Sequence, residues 1–95
     1  MRFWFAGDHL SWWVYIIHCD DDSLYTGISV DIERRFDEHA GRLGKQKQAK
    51  YFYGRKPLTI VYRQHHPDRS SASQREAEIK KLSRAEKLEL IQLQN

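Results

Sequence analysis

The chain of 95 residues has one cysteine, two prolines and five glycines. With Cys19 alone, no disulfide can close within it, and a zinc centre built on several thiolates lacks its ligands. Long apolar runs are also missing. WWVYII (12–17) is among the longest, far short of the ~20 residues that a bilayer-spanning helix needs, so no membrane association is expected. The opening MRFWFAGDHLS is interrupted by Asp8 and His9 before the apolar stretch of a secretion signal develops, and the expected location is the cytoplasm. Repeats, low-complexity tracts and long linkers are absent as well. One domain is expected over residues 12–91, with a short N-terminal extension (1–11) and a C-terminal tail (92–95).

What is present is an ordinary globular balance, 40% apolar and 31% charged residues. The net charge of +3 is small, but its distribution is uneven. Residues 1–38 carry eight acids and three bases. From Arg42 to Arg63 there are seven bases (Arg42, Lys45, Lys47, Lys50, Arg55, Lys56 and Arg63) and no acid. Such a segment attracts a polyanion with salt-sensitive affinity. Lys45, Lys47, Lys50, Arg55 and Lys56 are the candidate nucleic-acid contacts, to phosphates rather than bases, because flexible basic side chains position a backbone without reading it. The simpler competing account is a solvated basic surface.

Periodicity places the elements. WWVYIIH (12–18) and LYTGIS (24–29) read as strands joined by the polar turn CDDDS (19–23). If His18 pairs with Leu24, Tyr15 falls opposite Gly27, and Tyr15, Ile17, Tyr25 and Gly27 share one face; a slip of one residue would separate the tyrosines. Trp12 and Trp13 then point to opposite faces, which allows at most one of them into a core. Asp31 can cap a helix along Ile32, Phe36, Ala40 and Leu43 that ends near Gly44, with Arg35 and His39 on one side of it. The basic segment 45–56 has room for a short helix before Gly54. Pro57 suits the start of a strand, with LTIVYR (58–63) alternating after it, and HHPDRSS (65–71) reads as a loop. A helix over 72–82 follows. Ser83 and Glu86 form a capping box for a last helix along Ala85, Leu88 and Ile91. The fold expected is α/β, a small three-stranded antiparallel sheet flanked by helices.

In order along the chain, VYI (14–16), LYTG (24–27), DIERRFDEH (31–39), KYFYGRKPLTIVY (50–62) and SQREAEIKKLSRAEKLELI (73–91) resemble the GIY-YIG nuclease superfamily, and more closely its small, single-domain bacterial members. The resemblance implies the GIY-YIG fold and a divalent-metal-dependent endonuclease that hydrolyses DNA phosphodiester bonds in DNA repair or processing. By matching motifs it implies a site of Tyr15, Tyr25, Arg35, His39 and Glu76. Glu76 would bind one Mg²⁺ or Mn²⁺ ion, and DNA would be the partner. Valine replaces the glycine of the first motif and threonine stands inside the second. The extra DNA-binding domain of larger relatives is not expected here, and their late site asparagine has no counterpart but Asn95, the sole asparagine.

Each of these residues has a plainer reading. Tyr15 and Tyr25 could be half-buried sheet residues, Arg34 rivals Arg35, Glu78 rivals Glu76, and His39 could be a solvated helix-end residue. His18, Cys19 and Asp20–Asp22 do not suggest a metal site, because a hairpin turn does not converge them and DDD lacks calcium-loop spacing. His65 and His66 read as loop residues. The competing functions are a non-catalytic nucleic-acid-binding module of the same fold and a protein-interaction module using exposed Trp and Tyr side chains.

Overall fold

A computed structural model describes residues 11–94. The expected extension, apart from Ser11, and Asn95 of the expected tail lie outside the described residues. Strands β1 (Trp12–Cys19), β2 (Leu24–Ser29) and β3 (Pro57–His66) form one antiparallel sheet in the order β2-β1-β3. Helix α1 (Ile32–His39) follows β2, and α2 (Arg69–Lys80) and α3 (Arg84–Gln94) follow β3. The α/β fold class is as the sequence implies, and so is the hairpin register, with His18 opposite Leu24 and Tyr15 opposite Gly27.

Both faces of β1 are buried, each by a different set of elements. Val14 and Ile16 pack with Tyr62 of β3 and with Ala72 and Ile79 of α2. Tyr15, Ile17 and Cys19 pack with Ile32 of α1 and with Phe52 of the connecting segment. Full burial of an aliphatic or Phe side chain is worth roughly 1.5–3 kcal/mol, so β1 is the structural centre of this small domain. Because both faces are covered, Trp12 and Trp13 are each half-buried, one against each cluster, instead of one being core and one free. A bulge between Ile16 and Ile17 pairs those residues with Tyr62 and Ile60 and leaves Val61 unpaired, so Ile60 and Tyr62 pack on opposite faces although they are two apart.

Several expected boundaries shift. Helix α1 is capped by Asp31, whose carboxylate accepts from the Arg34 N–H, but it ends at His39, well before Gly44. Gly41 takes φ +82°, its N–H donates to the Glu38 carbonyl, and the Arg42 N–H donates to that of Asp37. That is a Schellman stop, and it leaves Leu43 exposed instead of on the helix face. The segment after it carries two short 3₁₀ turns, Lys45–Lys47 and Lys50–Phe52. Strand β3 runs on through His65 and His66, so these are strand residues paired across from Trp13 and Trp12, not loop residues. Helix α2 begins at Arg69, three residues before the expected 72, because Asp68 accepts from the Ser71 N–H as its cap.

The Ser83–Glu86 capping box forms reciprocally at 2.8 and 3.1 Å. Helix α3 docks through Leu90 and Ile91, while Ala85 and Leu88 face solvent. Its Gln94 side chain donates to the Arg63 carbonyl and accepts from the Arg63 N–H, covering part of the open β3 edge.

Each of the turn aspartates anchors a different element. Asp20 accepts from the Lys56 N–H at the start of β3, Asp21 holds Arg55, and Asp22 meets His18 and Arg84 at the start of α3. Among the described residues no helix is long and apolar enough to cross a membrane.

Candidate functional site

The candidate site grows from the β1–β2 pairing. Tyr15 is buried, and its ring leans over Gly27 on the neighbouring strand. A Cβ at position 27 would stand 2.5 Å from the Tyr15 Oη and 3.1 Å from Tyr25 Cε2. Glycine is therefore what lets both phenols occupy this face. Tyr25 is half-buried in an aromatic cluster, its ring centroid 4.8 Å from Phe52, 5.0 Å from Tyr51, 5.2 Å from His39 and 6.3 Å from Tyr15.

His39, at the last turn of α1, is fully buried and stacks on Phe52 at 4.3 Å. The Ala49 N–H donates to its Nδ1 at 3.4 Å, which puts the proton of the neutral ring on Nε2. That Nε2–H then donates to the Tyr15 hydroxyl at 3.1 Å. Burial, helped by the positive Arg35, pushes the His39 pKa down to about 4, so the ring is neutral at physiological pH. The imidazole thus bonds Tyr15 and meets Tyr25 in a T-shaped ring contact.

Arg35 and Arg34, equivalent in sequence, separate in space. Arg34 is exposed and reaches Glu38 at 3.5 Å, whereas the half-buried Arg35 donates to Glu38 at 2.7 Å and to the Lys47 carbonyl at 2.9 Å. The Arg35 charge also bears on both phenols, lowering their pKa against the effect of burial. Glu76 and Glu78 separate in the same way. Glu78 is exposed and pairs with Arg75, while Glu76 is 22% exposed, pairs with Lys80 at 3.2 Å and adds negative charge at both phenols.

Burial raises the pKa of Tyr25 and, more strongly, of Tyr15, where the neighbouring Tyr25 adds to the rise. Both therefore hold their protons at neutral pH. The structure brings Tyr15, Tyr25 and His39 into contact from β1, β2 and α1, and the charges of Arg35 on α1 and Glu76 on α2 bear on both phenols.

The basic segment is strapped to this centre. Arg35 holds the Lys47 carbonyl, Gln48 donates to the His39 carbonyl at 2.7 Å, and Ala49 caps the imidazole. Lys45, Lys47, Lys50 and Lys56 are exposed. Arg55 is engaged inside the protein, with Asp21 at 2.5 Å and its guanidinium 4.1 Å from the Tyr51 ring centroid. Sequence reasoning passed over Tyr51 and Phe52; the signal for them is the aromatic run YFY (51–53) inside an acid-free basic segment.

Among the described residues no three His, Cys, Asp or Glu side chains gather into a metal cluster. The donor set at the centre is one carboxylate. That fits a hard cation, which takes water and phosphate oxygens at its other positions, provided Glu76 exchanges Lys80 for it.

The sequence model of the GIY-YIG catalytic domain matches residues 11–89, and the chain belongs to the GIY-YIG family. Within it, the chain is similar to small UPF0213 proteins. One from Desulfotalea psychrophila is 45% identical over 88% of this chain and 74% of its own length. Another, from Natronomonas pharaonis, is 44% identical over 90% and 93%. The solution NMR structure of a UPF0213 protein from Bacillus halodurans is 40% identical, covers 87% of this chain and 84% of its own, and superposes with a TM-score of 0.55.

Proposed function

We propose that the chain is a nucleic-acid-binding domain whose centre hydrolyses DNA phosphodiester bonds with the aid of one divalent cation. The observation that carries this reading is the pair of phenols packed over Gly27, with the charges of Arg35 and Glu76, from two further elements, bearing on both. Hydrolysis requires water to attack phosphorus in line, the bond to the departing sugar oxygen to break, and that oxygen to gain a proton. Arg35 is suited to balance charge on the phosphoryl oxygens. Glu76 would hold Mg²⁺ or Mn²⁺, which when bound supplies positive charge and makes a coordinated water more acidic.

Tyr25, with its pKa raised by burial, acts as a proton donor and relay at Oη and not as a standing phenolate. Tyr15 is held by His39 and positions its hydroxyl beside it. The exposed Lys45, Lys47, Lys50 and Lys56 draw the DNA backbone across this face.

A second reading, binding without cleavage, is favoured by the pairing of Glu76 with Lys80 and by the lack of a gathered ligand cluster among the described residues. One experiment separates the two. Labelled single-stranded, duplex and branched DNA is incubated with wild type and Glu76→Ala in Mg²⁺, Mn²⁺ or EDTA, with binding followed in parallel. The nuclease reading expects cleavage that EDTA abolishes and that falls at least ~100-fold in Glu76→Ala while binding persists. Equal background cleavage by both proteins on every substrate overturns it. Salt-dependent binding with no cleavage leaves the binding module, and no binding at low salt removes both.

A further inference from the structure

Three phenols meet at this centre. Tyr51, in the turn Lys50–Phe52, lies with its ring 5.0 Å from that of Tyr25 and tilted by 47°. Tyr51 also adds to the upward pKa shift of Tyr25. Its ring is held firmly. The Arg55 guanidinium covers one face at 4.1 Å, and Arg55 Nη1 donates to the Tyr51 carbonyl at 2.9 Å. Arg55 Nε donates to Asp21, whose other oxygen accepts from the Ser23 hydroxyl and N–H at 2.5 and 3.1 Å.

A continuous chain of contacts therefore runs from the β1–β2 turn through Arg55 to Tyr51 and Tyr25. The covered face is closed to a stacking base. No described residue makes a hydrogen bond to the hydroxyl, and Tyr51 is only half-buried. A phenol so placed is a donor for a phosphate oxygen.

Building on the nucleic-acid reading above, we propose that Tyr51 is a further binding residue, donating its hydroxyl to a substrate phosphate beside Tyr25, and that Arg55 is its positioning residue. Arg55, one of the basic side chains expected to touch phosphate, then acts through Tyr51 and Asp21 instead.

The test is fluorescence anisotropy with a labelled oligonucleotide in EDTA, where cleavage plays no part, alongside thermal melts. Tyr51→Phe keeps the ring and its cover but removes the donor, and its Kd is expected to rise about tenfold, the scale of one hydrogen bond. Arg55→Lys retains the charge yet loses the fork and the stacking, so it should weaken binding to the same degree with an unchanged salt slope. The double variant should bind no worse than the weaker single. If Arg55→Lys fails to fold, Asp21→Asn replaces it with the same expectation.

Binding by Tyr51→Phe within twofold of wild type overturns the proposal and leaves the nucleic-acid reading standing. Additive losses in the double variant make Arg55 an independent contact and overturn its positioning role. No binding by wild type overturns the nucleic-acid reading and this inference with it.

Discussion

The Tyr15 hydroxyl occupies the space in which any side chain at position 27 would have to begin. An added Cβ would meet Oη at 2.5 Å and Cζ at 2.7 Å, both on a buried ring that also carries the His39 hydrogen bond. Gly27→Ala is therefore expected to destabilise the protein by about 1–3 kcal/mol, the range for overpacking a filled site. Adding Tyr15→Phe should recover only part of this loss, because the nearer atom is removed and Cζ remains. Thermal unfolding of the two variants checks it; full recovery, or none, would contradict the geometry.

Tyr25 tests chemistry separately from packing. Tyr25→Phe keeps every ring contact with His39, Tyr51 and Phe52. Its stability should stay within about 1 kcal/mol of wild type while single-turnover cleavage falls at least ~100-fold. Tyr15→Phe should lose less. Full activity in folded Tyr25→Phe would reduce this side chain to packing.

At the scale of elements, the two strands and their turn were legible from alternation, the hairpin register was an assumption that the structure bears out, and the Tyr15–Gly27 opposition follows from it. The end of α1 was not. Gly41 lies within the periodic stretch and Gly44 follows it, and only the paired bonds from Gly41 and Arg42 back to Glu38 and Asp37 show which one stops the helix. The start of α2 was hidden because Asp68 caps from within a run of polar residues that also suits a loop.

The least legible parts were contacts between distant segments. Asp21 and Arg55 are 34 residues apart, and nothing local links an acidic turn to an aromatic–basic segment. The family motifs led to Tyr15, Tyr25, Arg35, His39 and Glu76, but the site they imply leaves out Tyr51, although the matching segment KYFYGRKPLTIVY contains it. One local prediction follows from the helix stop. Gly41→Ala forces a Cβ into φ +82° and should cost about 1–2 kcal/mol, measurable by urea unfolding. The same change at Gly27 acts through a collision instead, so relief by Tyr15→Phe should be found there and not at Gly41.

For the molecule as a whole, the buried imidazole under the connecting strap couples stability to pH. His39 has a folded-state pKa of about 4 against an ordinary 6.5, with burial as the main cause. Between these values the unfolded chain takes up a proton that the folded protein refuses. Stability is therefore complete above about pH 6.5 and declines as pH falls toward 4, by a total of about 3 kcal/mol at 1.36 kcal/mol per unit. The geometry gives the reason. Protonation would place an N–H on Nδ1 facing the Ala49 N–H, two donors in opposition, next to the charge of Arg35.

The hydrogen-bonded carboxylates act in a different window. The bonds from Ser23 and Arg55 lower the Asp21 pKa to about 2, and the Arg35 bond lowers that of Glu38. Their contribution fades only as pH drops below the ordinary carboxylate range, and Asp21, being exposed, adds little. Urea unfolding at intervals from pH 7.5 to 4.5 should thus show wild type losing stability well before the carboxylates titrate. His39→Gln is expected to be weaker at pH 7.5 yet nearly flat across the same interval. A wild-type curve level down to pH 4.5, or an equal slope in His39→Gln, would remove the buried neutral imidazole as the source, and with it the assignment of its Nε2 proton to Tyr15.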